Sequence, residues 1–128
     1  MTSNKKTVLI IDDDHDTLDL LEVFLYQEFE VVTAVNGFEG LNKAQESAPD
    51  LILTDIMMPV MNGIKFINNL RKNARTARVP VIAVTSFAEK HSTKSLLNVG
   101  FVDVITKPFD KESILAAVAA NIAPAGKT

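Results

Sequence analysis

Cysteine is absent from all 128 residues. That removes disulfides, thiolate metal sites and cysteine nucleophiles, so any bound metal has to be held by oxygen or imidazole. Histidine is scarce as well. His15 and His91 are the only two, and their separation matches no metal-ligand or triad spacing, so both read as surface helix residues. No apolar run approaches the ~20 residues needed to span a bilayer, and the run Val8-Leu9-Ile10-Ile11 behind Lys5-Lys6 is too short for a signal-peptide core. A basic surplus is missing too. The formal charge of -3 gives no general pull toward nucleic-acid phosphates or anionic lipid. The one basic group, Arg71, Lys72, Arg75 and Arg78, reads as a solvated loop face. There is no internal repeat or low-complexity stretch. The composition, 47% hydrophobic with 23% charged residues, excludes wholesale disorder and a lone coiled coil. The expectation is one globular domain over 1–128, with its core at about 6–122 and a frayed tail at 123–128. A cytoplasmic location, without membrane or direct nucleic-acid binding, is expected to go with it.

What the chain does contain is a set of polar groups at the ends of apolar runs. Asp12 and Asp13 follow Val8-Leu9-Ile10-Ile11, Asp55 follows Leu51-Ile52-Leu53, Thr85 follows Val81-Ile82-Ala83-Val84, and Lys107 follows Val104-Ile105. If these runs are parallel strands, their carboxyl ends share one edge of a sheet, where open α/β folds bind ligands. Three acids beside one cation repel one another and stabilise a fold poorly. Such a cluster suits a divalent metal and a transferable anion.

The runs are short, rich in Val and Ile and without clean alternation, as expected of strands covered on both faces. Helical patterns separate them, and the whole reads as five βα units. The predicted strands are Thr7 to Ile11, Glu30 to Val35, Asp50 to Thr54, Val79 to Val84 and Phe101 to Ile105. Asp14 is a plausible N-cap of the first helix, with Leu18, Leu21 and Leu25 on its inner stripe. Asn36-Gly37 reads as a turn, Gly40 as a weak point in the second helix, and Pro49 as the break after it. The third helix is expected to bury Ile64, Ile67 and Leu70. The fourth, from about Ala88 to Val99, is poor in apolar anchors and is closed by Gly100. The fifth is expected to bury Ile114, Leu115, Val118 and Ile122. Crossovers of this length demand right-handed parallel connections.

Four segments stand in order after predicted strands: Ile11-Asp12-Asp13-Asp14; Leu53-Thr54-Asp55-Ile56-Met57-Met58-Pro59 with Asn62-Gly63; Val84-Thr85-Ser86; and Thr106-Lys107-Pro108-Phe109. Together they resemble the response-regulator receiver domain of two-component signalling, from about Lys6 to Asn121. The resemblance implies an α/β, doubly wound, five-stranded parallel sheet of order 2-1-3-4-5 with helices on both faces. Doubly wound sheets of this order bind ligands where the strand order switches. It implies that Asp55 accepts a phosphoryl group from a sensor histidine kinase or a histidine phosphotransfer protein. It also implies magnesium, with manganese a possible substitute, held by Asp13 and Asp55, by the Met57 backbone carbonyl, and by Asp12 mainly through metal-bound water. Lys107 would pair with Asp55 or the phosphoryl oxygens, Thr85 would hydrogen-bond a phosphoryl oxygen, and Lys107-Pro108 would be cis. The methionines Met57, Met58 and Met61 are read as mixed packing residues. The activity expected is that of a switch that catalyses its own phosphorylation and slow hydrolysis, not a turnover enzyme.

Rival readings fit less well. The alternation Asp12, Asp14, Asp16 resembles a calcium loop, but Thr17 stands where the loop's glycine belongs and Val23 where its glutamate belongs. A haloacid-dehalogenase-like phosphatase would want Thr or Val where Asp16 stands, and a longer chain. A flavodoxin-like cofactor binder would want Gly, Ser or Thr in the acidic loop after the first strand. A phosphorylation-independent scaffold is the non-catalytic alternative, against which the complete acid, hydroxyl and lysine set argues. One position departs from the family. Receivers commonly carry Tyr or Phe three residues before the lysine, and here that residue is Val104, with Phe87 and Phe101 the nearby aromatics. The output surface is expected on the fourth helix, fifth strand and fifth helix, which could also mediate a homodimer. The downstream partner would be a protein target or, in a longer chain, a linked output domain.

Overall fold

A computed structural model of the chain describes residues 5–86 and 93–122. Its strands are β1 (Lys6–Ile11), β2 (Phe29–Ala34), β3 (Leu51–Asp55), β4 (Val81–Thr85) and β5 (Asp103–Thr106). Its helices are α1 (His15–Leu25), α2 (Gly37–Ser47), α3 (Gly63–Leu70), α4 (Thr93–Val99) and α5 (Lys111–Asn121). All four strand pairings are parallel, and the sheet runs β2-β1-β3-β4-β5. Both the topology and the element order are those expected. The start of the fourth helix at Ala88 and the tail at 123–128 lie outside the described residues.

Each strand sends alternate residues to opposite faces. Leu9, Ile11, Ile52, Val81 and Ala83 enter one core cluster with Ala44 of α2, Phe66, Ile67 and Leu70 of α3, and Leu96 of α4. Val8, Ile10, Leu51, Leu53, Ile82 and Val84 enter the other with Leu18, Leu21 and Leu25 of α1 and Ile114 and Val118 of α5. Burial on both faces explains why the strands read as unbroken apolar runs. It also holds the backbone at their carboxyl ends in place.

Helix ends follow local chemistry. The Asp14 side chain accepts the Asp16 N–H and the Thr17 hydroxyl at the start of α1. Gly100 closes α4 with a φ of 128°, its N–H reaching Leu97 C=O at 3.1 Å while Phe101 N–H reaches Leu96 C=O at 3.3 Å. This is the pattern in which a left-handed glycine satisfies the last carbonyls and the residue beyond packs back on the helix. Phe101 is accordingly buried with Leu96.

Some local expectations shift. Asn36 is the N-cap of α2 and not part of a free turn. Its side chain accepts the Glu39 N–H, and Glu39 in turn accepts the Val35 N–H. Gly40 lies under Ile11 and Phe66, where a Cβ would come 2.5 Å from Ile11 Cδ1. On α3 the fully buried side chains are Phe66, Ile67 and Leu70, with Ile64 only partly buried, so the helix is rotated relative to the predicted stripe. β5 starts at Asp103, because the two residues before it are taken up by the turn that closes α4 and enters the sheet. On α5, Ile114 and Val118 are fully buried and Leu115 and Ile122 partly so.

Candidate functional site

The ladder register fixes which strand ends meet. Ile11 pairs with Thr54, Asp55 with Val84, and Thr85 with Thr106. Asp12 is therefore level with Asp55 on the adjacent strand, and Lys107 lies one residue beyond the partner of Thr85. Two backbone bonds extend the sheet past its last regular pairs, Asp12 N–H to Ala34 C=O at 3.1 Å and Lys107 N–H to Thr85 C=O at 2.9 Å. The site lies at the carboxyl edge near the switch in strand order, where crevices form in this architecture.

Carboxylate oxygens of Asp12, Asp13 and Asp55 lie within 4.8 Å of one another. Asp12 and Asp55 are buried and Asp13 is exposed, so the cluster has a wet mouth and a dry floor. Lys107 Nζ stands 2.9 Å from Asp12 Oδ2 and 3.5 Å from Asp55 Oδ2. The pairing with Asp55 that the resemblance implied, as an alternative to the phosphoryl oxygens, is present, with a shorter contact to Asp12 beside it. Thr85 is fully buried at the end of β4. The Lys107-Pro108 bond is cis. All five groups singled out at the strand ends meet the same edge.

Burial is the main cause that pushes the Asp55 carboxyl above the ordinary carboxylate range. The Lys107 charge opposes this, Asp12 adds to it, and the Met57 and Ile56 N–H groups oppose it. Burial also works against the Lys107 ammonium, but the Asp12 hydrogen bond and the charges of Asp55 and Asp12 outweigh it and raise its pKa. Among the described residues Lys107 contacts two of the three acids, Asp12 and Asp55, so negative charge is left uncompensated. An all-oxygen set of this size fits a hard divalent cation such as magnesium, which takes one or two carboxylates and keeps several waters.

The loop after β3 shapes the floor. Asp55 Oδ1 accepts the Ile56 N–H at 2.7 Å and the Met57 N–H at 3.3 Å, which fixes the carboxylate plane. Met58 is buried in the core and Met61 is partly buried against it, while the Met57 side chain is exposed. Gly63 stands in one of the segments that carry the resemblance. A Cβ there would come 2.6 Å from the Asp55 carbonyl oxygen and 3.0 Å from Ile56 Cα, so α3 can start against the end of β3 only with glycine. Val60 holds a φ of 72° between Pro59 C=O and Met61 N–H, which bond at 2.8 Å. His15 is exposed at the start of α1, and His91 lies outside the described residues. Arg71 is not merely solvated. It donates to Val79 C=O at 2.7 Å, and burial lowers its pKa.

The profile of the family described as the response regulator receiver domain matches residues 8–119. The chain belongs to the response-regulator receiver family. It is 34% identical to the chemotaxis protein CheY of Halobacterium salinarum, over 88% of this chain and 93% of that protein. It is 38% identical to the transcriptional regulator RpaA of Synechocystis, over 88% of this chain but 47% of that protein. The receiver thus spans about half the length of such regulators, and 7% of the hybrid signal transduction histidine kinase D of Dictyostelium discoideum, to which it is 35% identical over 90% of its own length. Among solved structures, CheY4 of Vibrio cholerae superposes with a TM-score of 0.85 at 29% identity, covering 91% of this chain and 98% of that one. The receiver domain of the Pseudomonas aeruginosa sensor kinase PA1611, solved with magnesium in its active-site cleft, shares the fold with a TM-score of 0.83 at 24% identity, covering 91% and 96%. Receiver domains work with histidine kinases and output domains as phosphoacceptors of two-component systems. No helix among the described residues is long and apolar enough to cross a membrane.

Proposed function

We propose that Asp55 takes a phosphoryl group from a phosphohistidine donor on a sensor kinase or phosphotransfer protein, and that the resulting aspartyl phosphate switches a protein-binding surface. The observation that carries this is the convergence of Asp12, Asp13 and Asp55 within 4.8 Å, with Lys107 Nζ 3.5 Å from Asp55. An Asp55 oxygen attacks phosphorus in line, the phosphorus–nitrogen bond of the donor breaks, and the imidazole nitrogen keeps the electron pair and takes a proton. Asp55 is ready for this role because the Ile56 and Met57 N–H groups both hold Oδ1, which fixes the orientation of Oδ2. Lys107 offers a point charge to the phosphoryl oxygens, and Thr85 offers its hydroxyl.

Asp12, Asp13, Asp55 and the Met57 carbonyl would hold a magnesium or manganese ion, which when bound neutralises charge between the attacking carboxylate and the phosphoryl group. The cytoplasm is the compartment proposed, with no direct contact to nucleic acid. The proposed output surface is α4, β5 and α5, open to a target protein, a linked output domain or a second copy. Val104 is partly buried there where the family commonly has an aromatic ring. A phosphorylation-driven swing of that ring is therefore unavailable to this chain.

The test is intact mass after incubation with acetyl phosphate, with and without magnesium, on wild type and Asp55→Asn. A magnesium-dependent gain of one phosphoryl group in wild type alone supports the proposal. If neither phosphorylation nor a beryllofluoride complex forms, the phosphorylation-independent scaffold becomes the better reading.

A further inference from the structure

Lys107 reaches the acids on a flexible four-carbon stem, so its ammonium is placed only as well as its backbone. That backbone belongs to a short connection between the end of β5 at Thr106 and the N-cap of α5 at Asp110, whose side chain accepts the Ser113 N–H at 2.8 Å. Upstream, Lys107 N–H is bonded to Thr85 C=O. At the end of the connection, next to the Asp110 cap, Phe109 meets Phe24 of α1 edge to face, with ring centroids 6.3 Å apart and an interplanar angle of 76°. It is the one aromatic pair among the described residues.

The pair packs at the margin of the second core cluster, and two features distinguish it from the contacts inside. Leu18, Leu21 and Leu25 already bury the inner stripe of α1, and Phe24 lies on its flank, only partly buried. Phe109 belongs to neither β5 nor α5, so the pair joins a helix to a loop. The helix is the one that begins directly after Asp12, Asp13 and Asp14. The loop is the one that carries the lysine. Phe24 is the tenth residue of α1, about 14 Å along its axis from the helix start at His15, so it touches no reacting atom.

We infer that Phe24 and Phe109 are positioning residues, an aromatic brace that holds the Lys107 ammonium against Asp12 and Asp55 by fixing the lysine loop to the helix that follows the acidic pair. The inference deepens the phosphoacceptor reading and rests on it for its kinetic consequence. An edge-to-face pair has a preferred geometry that aliphatic side chains of similar bulk do not reproduce. Misplacement of a charged group by about 1 Å can cost up to ~100-fold in rate. A partial loss of roughly ten-fold is expected here, because the Thr85 bond and the Asp110 cap persist.

The experiment compares Phe24→Leu and Phe109→Leu, which keep apolar bulk, with wild type, each also in a Lys107→Ala background. Thermal melting establishes that every variant folds. The phosphorylation rate with acetyl phosphate at saturating magnesium should fall roughly ten-fold in each single variant and no further when Phe24→Leu and Phe109→Leu are combined. Magnesium affinity, measured by titration, should stay within about two-fold, since the three acids are untouched. In the Lys107→Ala background, neither leucine substitution should cost anything more. An undiminished rate, or the same ten-fold loss when Lys107 is already gone, would overturn the inference.

A second readout does not depend on phosphorylation. The Lys107 ammonium signal in nitrogen–proton NMR persists only while the group is held in hydrogen bonds, and both variants should lose it. If wild type takes no phosphoryl group and forms no beryllofluoride complex but the signal is still lost in the variants, the phosphoacceptor reading fails and the brace stands. If the signal survives in both, the brace fails whatever the kinetics.

Discussion

Asp55→Asn should stabilise the metal-free protein. In the folded chain the Asp55 carboxylate faces oxygens of Asp12 and Asp13 within 4.8 Å and the Lys107 ammonium at 3.5 Å. At an effective dielectric near 20, each like-charge pair at that separation costs about 3.5 kcal/mol, and the lysine returns about 4.7 kcal/mol. Two repulsions less one attraction leave roughly 2 kcal/mol against the carboxylate; the exposure of Asp13 to solvent trims this and the burial of Asp55 adds to it, for a net of about 1–2 kcal/mol. Asn keeps the volume and can keep the Ile56 and Met57 N–H bonds, while Lys107 keeps Asp12. In EDTA the melting temperature should therefore rise by about 4–7 °C. The sign with pH follows from the raised Asp55 pKa. The native state holds that proton more tightly than the unfolded chain, so its contribution to stability is full below the unfolded pKa and is lost as pH rises through the folded pKa. The advantage of the variant should thus vanish in acid and appear above the ordinary carboxylate range. Saturating magnesium should reverse the order, because binding at 100 times Kd adds about 2.7 kcal/mol to wild type and the variant lacks one ligand. The assay is calorimetry of both proteins in EDTA and in magnesium across pH. A variant less stable than wild type in EDTA, or still more stable in saturating magnesium, would refute the reasoning.

Further expectations concern single contacts. Gly63→Ala should destabilise by about 1–3 kcal/mol in denaturant titration, because its Cβ would come 2.6 Å from the Asp55 carbonyl oxygen, and it should slow phosphorylation by displacing that residue. Phe66→Ala should cost about 3–5 kcal/mol by the same titration without touching a site residue, since the ring is fully buried under β1 and β3. Lys107→Ala should lower the melting temperature in EDTA, where Asp12 and Asp55 lose their cation, and magnesium should restore most of the loss. Asp14→Ala should lower the denaturant midpoint through loss of the α1 cap.

The site was legible because its chemistry is local in sequence. Asp12, Asp55, Thr85 and Lys107 each follow an apolar run, and parallel strands bring such ends together without further information. The sheet was legible for the same reason, since burial on both faces leaves strands as unbroken Val, Ile and Leu runs. What escaped depends on rotation about an axis or on side-chain reach. Phe66 could not be preferred over Ile64 until α3 had a fixed angle to the sheet. The nearer acid for Lys107 is decided by fractions of an ångström between neighbouring strand ends. Arg71 looked solvated because nothing in a run of basic residues announces that one of them reaches back to a strand carbonyl. Gly63 could be placed only within a segment of the resemblance, because the backbone it must admit comes from β3, eight residues upstream of it at Asp55. Phe24 and Phe109 lie far apart in the chain and meet only through the packing of α1 beside α5.

Borohydride trapping tests the central claim most directly, because hydride reduces an aspartyl phosphate to homoserine and leaves free carboxylates alone. After phosphorylation in magnesium, peptide mapping should find homoserine at position 55 and nowhere else, and none when magnesium is withheld. Homoserine at Asp12 or Asp13 in place of Asp55, or the same yield without magnesium, would contradict the assignment of Asp55 as the acceptor in a metal-dependent site.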